Sequence, residues 1–104
     1  MSKFENITIE KKANLYFEGK VSSRTIFFSD GTKKTLGVMQ PGEYEFSTSV
    51  KEEMDILAGQ LEYKVAGEDW KSIDGQGVFY VPANESFQVK AQTVVDYCCS
   101  YISE

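Results

Sequence analysis

Residues 37–59 read GVMQPGEYEFSTSVKEEMDILAG, and their pattern decides the fold class. Pro41-Gly42 suits the two central positions of a type II turn, with Pro fixing φ and Gly supplying φ > 0. Strict alternation follows: Tyr44, Phe46 and Thr48 project to one face, Glu43, Glu45 and Ser47 to the other. A second strand alternates Met54, Ile56 and Ala58 against Asp55 and Leu57 and ends at Gly59. The join between the two strands, Ser47 to Glu53, gathers hydroxyls, an amine and two carboxylates. It is the stretch where chemistry is expected.

The same alternation runs outward in both directions. Strands are predicted at about 20–28 and 33–40 before the Pro-Gly turn, and at 60–65 after Gly59. A hairpin-like pair is predicted from 70–73 to 77–82 through Asp74-Gly75-Gln76-Gly77, then a strand carrying Phe87, Val89 and Ala91. The last strand, about 93–102, places Val95, Tyr97, Cys99 and Tyr101 on one face. No window carries a useful helical period. Many short strands at regular spacing imply an all-β sandwich or barrel whose inward side chains fill it or leave one small ligand cavity. The inward aromatics Tyr44, Phe46, Tyr63, Phe79 and Phe87 are expected mostly in the core.

At 104 residues the chain makes one domain, read as a polar arm or edge strand over 1–13 and a single domain over 14–104. A net charge of −5 argues against nucleic-acid binding, which needs a dense basic patch. There is no charged-then-apolar leader and no long apolar run, so a cytoplasmic protein with no membrane segment is expected. Cys98 and Cys99 are adjacent in a strand and point to opposite faces, so they are read as reduced strand residues, one of them buried. Histidine is absent altogether, which removes imidazole ligands, a histidine base and a Ser-His-Asp arrangement.

The Pro-Gly turn, the strand after it, Glu52 and the closing Gly59 resemble the first motif of the cupin superfamily, small jelly-roll-like β-barrels of two packed antiparallel sheets. Gly75 to Phe87 resembles the second. The metal-ligand positions then fall on Phe46, Thr48 and Phe87, side chains that cannot build an iron or manganese site. More specifically, Tyr16-Phe17, Gly19-Lys20-Val21, Gly37-Val38-Met39, the Gly42-Glu-Tyr-x-Phe-Ser-Thr48 block, Glu52-Glu53-Met54 and Trp70 are similar to the pyrimidine/purine nucleoside phosphorylases. Val81-Pro82, Phe87, Tyr97 and Tyr101 extend that likeness. The resemblance implies a cupin-type barrel, a homodimer, and phosphorolysis of purine and pyrimidine nucleosides to free base and pentose 1-phosphate.

That reaction needs no metal and no cofactor, inorganic phosphate being a co-substrate. It needs an anion cradle, acceptors for the ribose hydroxyls, and negative charge near an oxocarbenium-like sugar. Ser47 and Thr48 offer hydroxyl donors, and Lys20, Arg24, Lys33 or Lys34 offers positive charge, with Lys20 and Arg24 the binding candidates. Glu52 and Glu53 are the catalytic candidates, accepting ribose hydroxyls and opposing the developing charge. Tyr44, Phe79 and Phe87 are candidates to stack on a base, and stacking tolerates any base because every base has a π face. Two other readings stand beside this one: a ligand-sensing or sugar-binding cupin without catalysis, and a purely structural homodimer module.

Overall fold

The computed structural model describes residues 3–102. Two short strands, β1 (Thr8–Ile9) and β2 (Asn14–Tyr16), lead into a 3-10 turn at Phe17–Gly19. Four strands follow: β3 (Val21–Phe27), β4 (Lys33–Met39), β5 (Gly42–Ser47) and β6 (Lys51–Ala58). Then come β7 (Gln60–Val65), β8 (Lys71–Asp74), β9 (Gly77–Val81), β10 (Ser86–Ala91) and β11 (Val95–Ile102). No helix among the described residues is long and apolar enough to cross a membrane.

The strands form two antiparallel sheets, as the alternation predicts. The larger runs β1-β3-β4-β11-β6-β9, with β2 also paired to β3, and the smaller runs β5-β10-β7-β8. From β4 onward, successive strands mostly change sheets: β5 lies opposite β4, β6 opposite β5, and β7 opposite β6. This is the jelly-roll-like barrel of the cupin type. Gly59 alone makes the shortest of these crossings, between β6 and β7, at φ +112°. A Cβ there would stand 2.5 Å from the Val94 carbonyl oxygen, so the corner requires glycine.

Sheet membership corrects one expectation. The segments around Asp74-Gly75-Gln76-Gly77 are not a hairpin: β8 pairs with β7 in the smaller sheet, β9 with β6 in the larger. Alternation fixes which side chains share a face, and a turn of this length either folds a strand back or hands it to the facing sheet. A second correction concerns the thiols. Cys98 and Cys99 are each 4% exposed, because β11 is central in the larger sheet and Cys98, on the outward face, is flanked by Leu36 of β4 and Asp55 of β6.

The core between the sheets is built on Met54, Ile56, Leu61, Val65, Phe79, Val81, Phe87, Val89 and Val95. Ahead of it, β1 and β2 both run antiparallel to β3, and Arg24 Nε donates to the Lys11 carbonyl oxygen at 3.3 Å.

Candidate active site

A cavity of about 440 Å³ opens between the sheets on the side where β5 forms the edge of the smaller one. That is within the size range of small-molecule sites, roughly 300–1,000 Å³. Its floor belongs to the larger sheet and is largely polar: Ser23 from β3, Thr35 from β4, Tyr97, Cys99 and Tyr101 from β11, and Glu52 from β6. These residues share a face because antiparallel register sets Thr35 opposite Cys99, and Glu52 and Met54 opposite Tyr101 and Cys99. Gly37 makes the floor possible. A Cβ there would stand 2.7 Å from the Tyr97 hydroxyl oxygen, in the space that lets this hydroxyl donate to the Ser22 carbonyl at 3.3 Å.

The opposite wall is aromatic. Phe46 from β5 stacks on Phe87 from β10 with centroids 5.2 Å apart, and Phe17 meets Phe46 edge-on at 5.6 Å. Phe17 reaches this position because the chain turns left-handed at Phe17, Glu18 and Gly19, with φ of 51°, 59° and 88°. Two successive non-glycine residues in that region are costly, about 1–2 kcal/mol each, and such outliers cluster at ligand sites. Phe17 and Tyr16 stay 42% and 48% exposed at the cavity mouth.

The charged groups among the lining residues are Glu45, on the rim, and Glu52, on the floor. Burial pushes the Glu52 carboxyl above its ordinary range, while the Cys99 thiol donates to its Oε1 at 3.4 Å and works the other way. Burial likewise raises the Tyr97 hydroxyl and the Cys99 thiol, and pushes Tyr101 up to about 12. All three are neutral donors at physiological pH. No Lys or Arg is among the described residues lining the cavity, but Lys33 Nζ lies over the Tyr101 ring, 5.3 Å from its centroid.

Of the residues singled out by sequence, Glu52, Ser47 and Phe87 come together on this cavity. The others lie elsewhere. Glu53 points to the outer face of the larger sheet, where the Tyr80 hydroxyl donates to its Oε1 at 3.0 Å. Thr48 is buried, its hydroxyl donating to the Pro82 carbonyl at 2.6 Å and accepting from the Glu85 N–H at 3.1 Å. It clamps the loop between β9 and β10 and does not face the cavity. Tyr44 is buried behind Phe17 and Phe46, and its hydroxyl donates to the Gln40 carbonyl. Phe79 stacks on Tyr63 at 3.8 Å within the core. Lys20 and Arg24 are exposed and outside the lining. The sequence reading missed the floor residues Thr35, Tyr97, Cys99 and Tyr101 as a site. Their signal was present in the shared face of the last strand.

Residues 11–101 match the pyrimidine/purine nucleoside phosphorylase family. A protein of that name from Sulfurimonas denitrificans is 56% identical over 102 residues, covering 98% of this chain and 99% of its own. Its namesake from Pelobacter propionicus is 57% identical over 103 residues, again covering 98% and 99%. Among solved structures, a protein of unknown function from Acinetobacter sp. ADP1 superposes with a TM-score of 0.92 at 39% identity, over 96% of this chain and 98% of that one. The cupin domain of Schizosaccharomyces pombe Cnp3, at 20% identity and a TM-score of 0.65 over 86% of this chain and 64% of that one, shares the fold. By sequence over nearly its whole length, this chain belongs to the pyrimidine/purine nucleoside phosphorylase family.

Proposed function

We propose that the protein is a metal-independent nucleoside phosphorylase of broad specificity, cleaving purine and pyrimidine nucleosides with inorganic phosphate to free base and pentose 1-phosphate. The observation that carries this reading is one cavity with an aromatic wall, Phe17, Phe46 and Phe87, facing a polar floor with a single carboxylate, Glu52. The base lies against the rings, which grip it by stacking and read little of its edge. The pentose lies over the floor, where Glu52 accepts a hydroxyl and the hydroxyls of Thr35 and Tyr101 supply further partners. Phosphate enters at the rim beside Ser47 and is drawn by Lys33, the cation set over Tyr101. Its attack on C1′ needs position more than activation. Phosphate is already an anion, so no metal is needed to generate the nucleophile, and the chain offers no imidazole ligand for one. The enzyme works in the cytoplasm as a homodimer.

A nucleoside panel incubated with and without phosphate tests this. Phosphate-dependent release of base, with ribose 1-phosphate as co-product and insensitivity to a chelator, is the expected result. Free ribose at an equal rate in phosphate-free buffer would make it a hydrolase. A second reading, a ligand-sensing cupin, is favoured by the lack of Lys or Arg among the described lining residues, since such a cavity suits a neutral ligand. Nucleosides that raise the melting temperature without turnover would decide for it.

A further inference from the structure

On its floor side β4 runs from Lys33, past Thr35, to Gly37, a span of about 13 Å at roughly 3.3 Å per residue. With phosphate at the Lys33 end and the pentose over Thr35, Tyr101 and Glu52, the base extends towards Gly37. There the antiparallel register sets Ser23 of β3 on one side of Gly37 and Tyr97 of β11 on the other. Phe17 of the aromatic wall comes to this same end, because Tyr16 before it pairs with Val21, and Asn14 pairs with Ser23. The base is thus held beneath Phe17 and above a row whose polar side chains are Ser23 and Tyr97.

Of these two hydroxyls, only one has a hydrogen to offer. The Tyr97 hydroxyl donates to the Ser22 carbonyl at 3.3 Å. Asn14 Nδ2, which can only donate, gives one hydrogen to Ser23 Oγ at 3.4 Å and the other to Thr25 Oγ1 at 3.3 Å. Ser23 is therefore held as an acceptor towards β2, and among the described residues its own hydrogen meets no partner. Ser23 is buried and lines the cavity, which leaves that hydrogen for a ligand.

We propose, resting on the phosphorolysis reading above, that Ser23 donates this hydrogen to the acceptor every nucleobase carries beside its glycosidic nitrogen, O2 of a pyrimidine or N3 of a purine, and that Asn14 is the residue that positions it. One donor at that point serves all the common bases alike, so it holds the base without choosing among them. It also meets charge where charge develops. A phosphate oxygen bonds to C1′ as the C1′–N bond breaks, the electron pair leaves with the base, and the added charge spreads onto O2 or N3. Ser23 keeps its proton throughout. The base takes its proton, through water, from the P–OH that the attacking phosphate brought.

The analogue 3-deazaadenosine carries a C–H in place of N3 and so tests the contact. Its kcat/KM is compared with that of adenosine in the wild type, Ser23→Ala and Asn14→Asp. Asn14→Asp keeps the shape but has acceptors only, so it draws the Ser23 hydrogen away from the cavity. In both variants the preference for adenosine should shrink by about 10- to 150-fold, through kcat more than KM, because the hydrogen bond strengthens as the base gains charge. Uridine should lose about as much in kcat as adenosine does. A preference unchanged in both variants overturns the proposal, and one that shrinks only in Ser23→Ala overturns the role given to Asn14. Calorimetry without phosphate supplies a readout apart from turnover. The wild type should bind adenosine about 2- to 10-fold tighter than its 3-deaza analogue, and Ser23→Ala should bind both alike. A wild-type chain that releases no base from any nucleoside overturns the function proposed above, and those affinities then still decide whether Ser23 meets N3. Equal affinities in the wild type, or no binding of either compound, overturn the contact.

Discussion

The same two sheets enclose a filled half and a hollow half. Beneath β7 the interior is closed: Tyr63 lies on Phe79 with ring planes 8° apart, and Leu61, Val65, Ile56 and Val89 complete the packing. Towards β5, Phe46 and Phe87 face Ser23, Thr35, Cys99 and the glycine at position 37, all small, and a cavity remains. The smaller sheet stops at β5 while the larger continues through β4 to β3. Where the smaller sheet runs out, the roof is supplied by the left-handed turn at Phe17–Gly19. Packing holds the molecule together in one half, and the other half pairs small floor residues with a strained connection to keep a space open.

Truncation in each half should separate the two roles. The largest effect is expected from Phe79→Ala, a loss of about 3–5 kcal/mol in urea unfolding from the lost ring and the void left behind. A stable Phe79→Ala protein with weakened nucleoside binding would blur the division and bring Phe79 back to the site. Thr48→Ala comes next. It strips the clamp from the Pro82 and Glu85 backbone and should cost about 1–3 kcal/mol of stability, with kcat/KM per folded molecule little changed. A selective rise in KM for phosphate would instead put Thr48 in the anion cradle.

Phe17→Ala acts in the hollow half. Phe17 is exposed and conformationally strained, so stability should change by less than about 1 kcal/mol. KM for nucleosides should rise by about 5- to 100-fold through lost stacking. Unchanged KM for both uridine and a purine nucleoside would remove Phe17 from the wall. The smallest expected effect is the pH dependence of stability. Glu52 titrates near 4.5 in the unfolded chain and higher in the folded one, so the folded state binds this proton more tightly. Its stability therefore declines as pH rises from about 4.5 through the folded value. Glu52→Gln, which cannot ionise, should melt higher than wild type at neutral pH and lose that advantage below pH 4.5. An equal gap at pH 4 and pH 7 would contradict the burial argument.

Much of this is legible in the chain alone. Alternation placed Tyr97, Cys99 and Tyr101 on one face, and the 47–53 join put Ser47 and Glu52 at the cavity. What alternation cannot show is which sheet each strand enters, and so it predicts a hairpin where β8 and β9 belong to different sheets. Thr48 shares the parity of Phe46, but it stands just past the end of β5, whose pairing stops at Ser47. Its partners Pro82 and Glu85 are 34 and 37 residues away, a distance local pattern does not span. The roof left no local mark either: Phe17 and Glu18 carry none of the glycine or asparagine signals of a left-handed turn, and tertiary contacts impose it.

The place of β11 has a consequence for how the molecule comes into being. The last strand in sequence lies between β4 and β6, in the middle of the larger sheet. During synthesis, β4 and β6 have no partner joining them until residue 102 has cleared the ribosome, seconds after β6 emerged at roughly 5–20 residues per second. Until then β6 can pair with β9 but is cut off from β3 and β4, and the nascent chain exposes unsatisfied strand edges. Folding in which most pairings are non-local is slow, on the order of milliseconds to seconds. A ribosome stalled with residues 95–102 still in the tunnel should hold a chain that neither resists protease nor binds nucleoside, and release should confer both together.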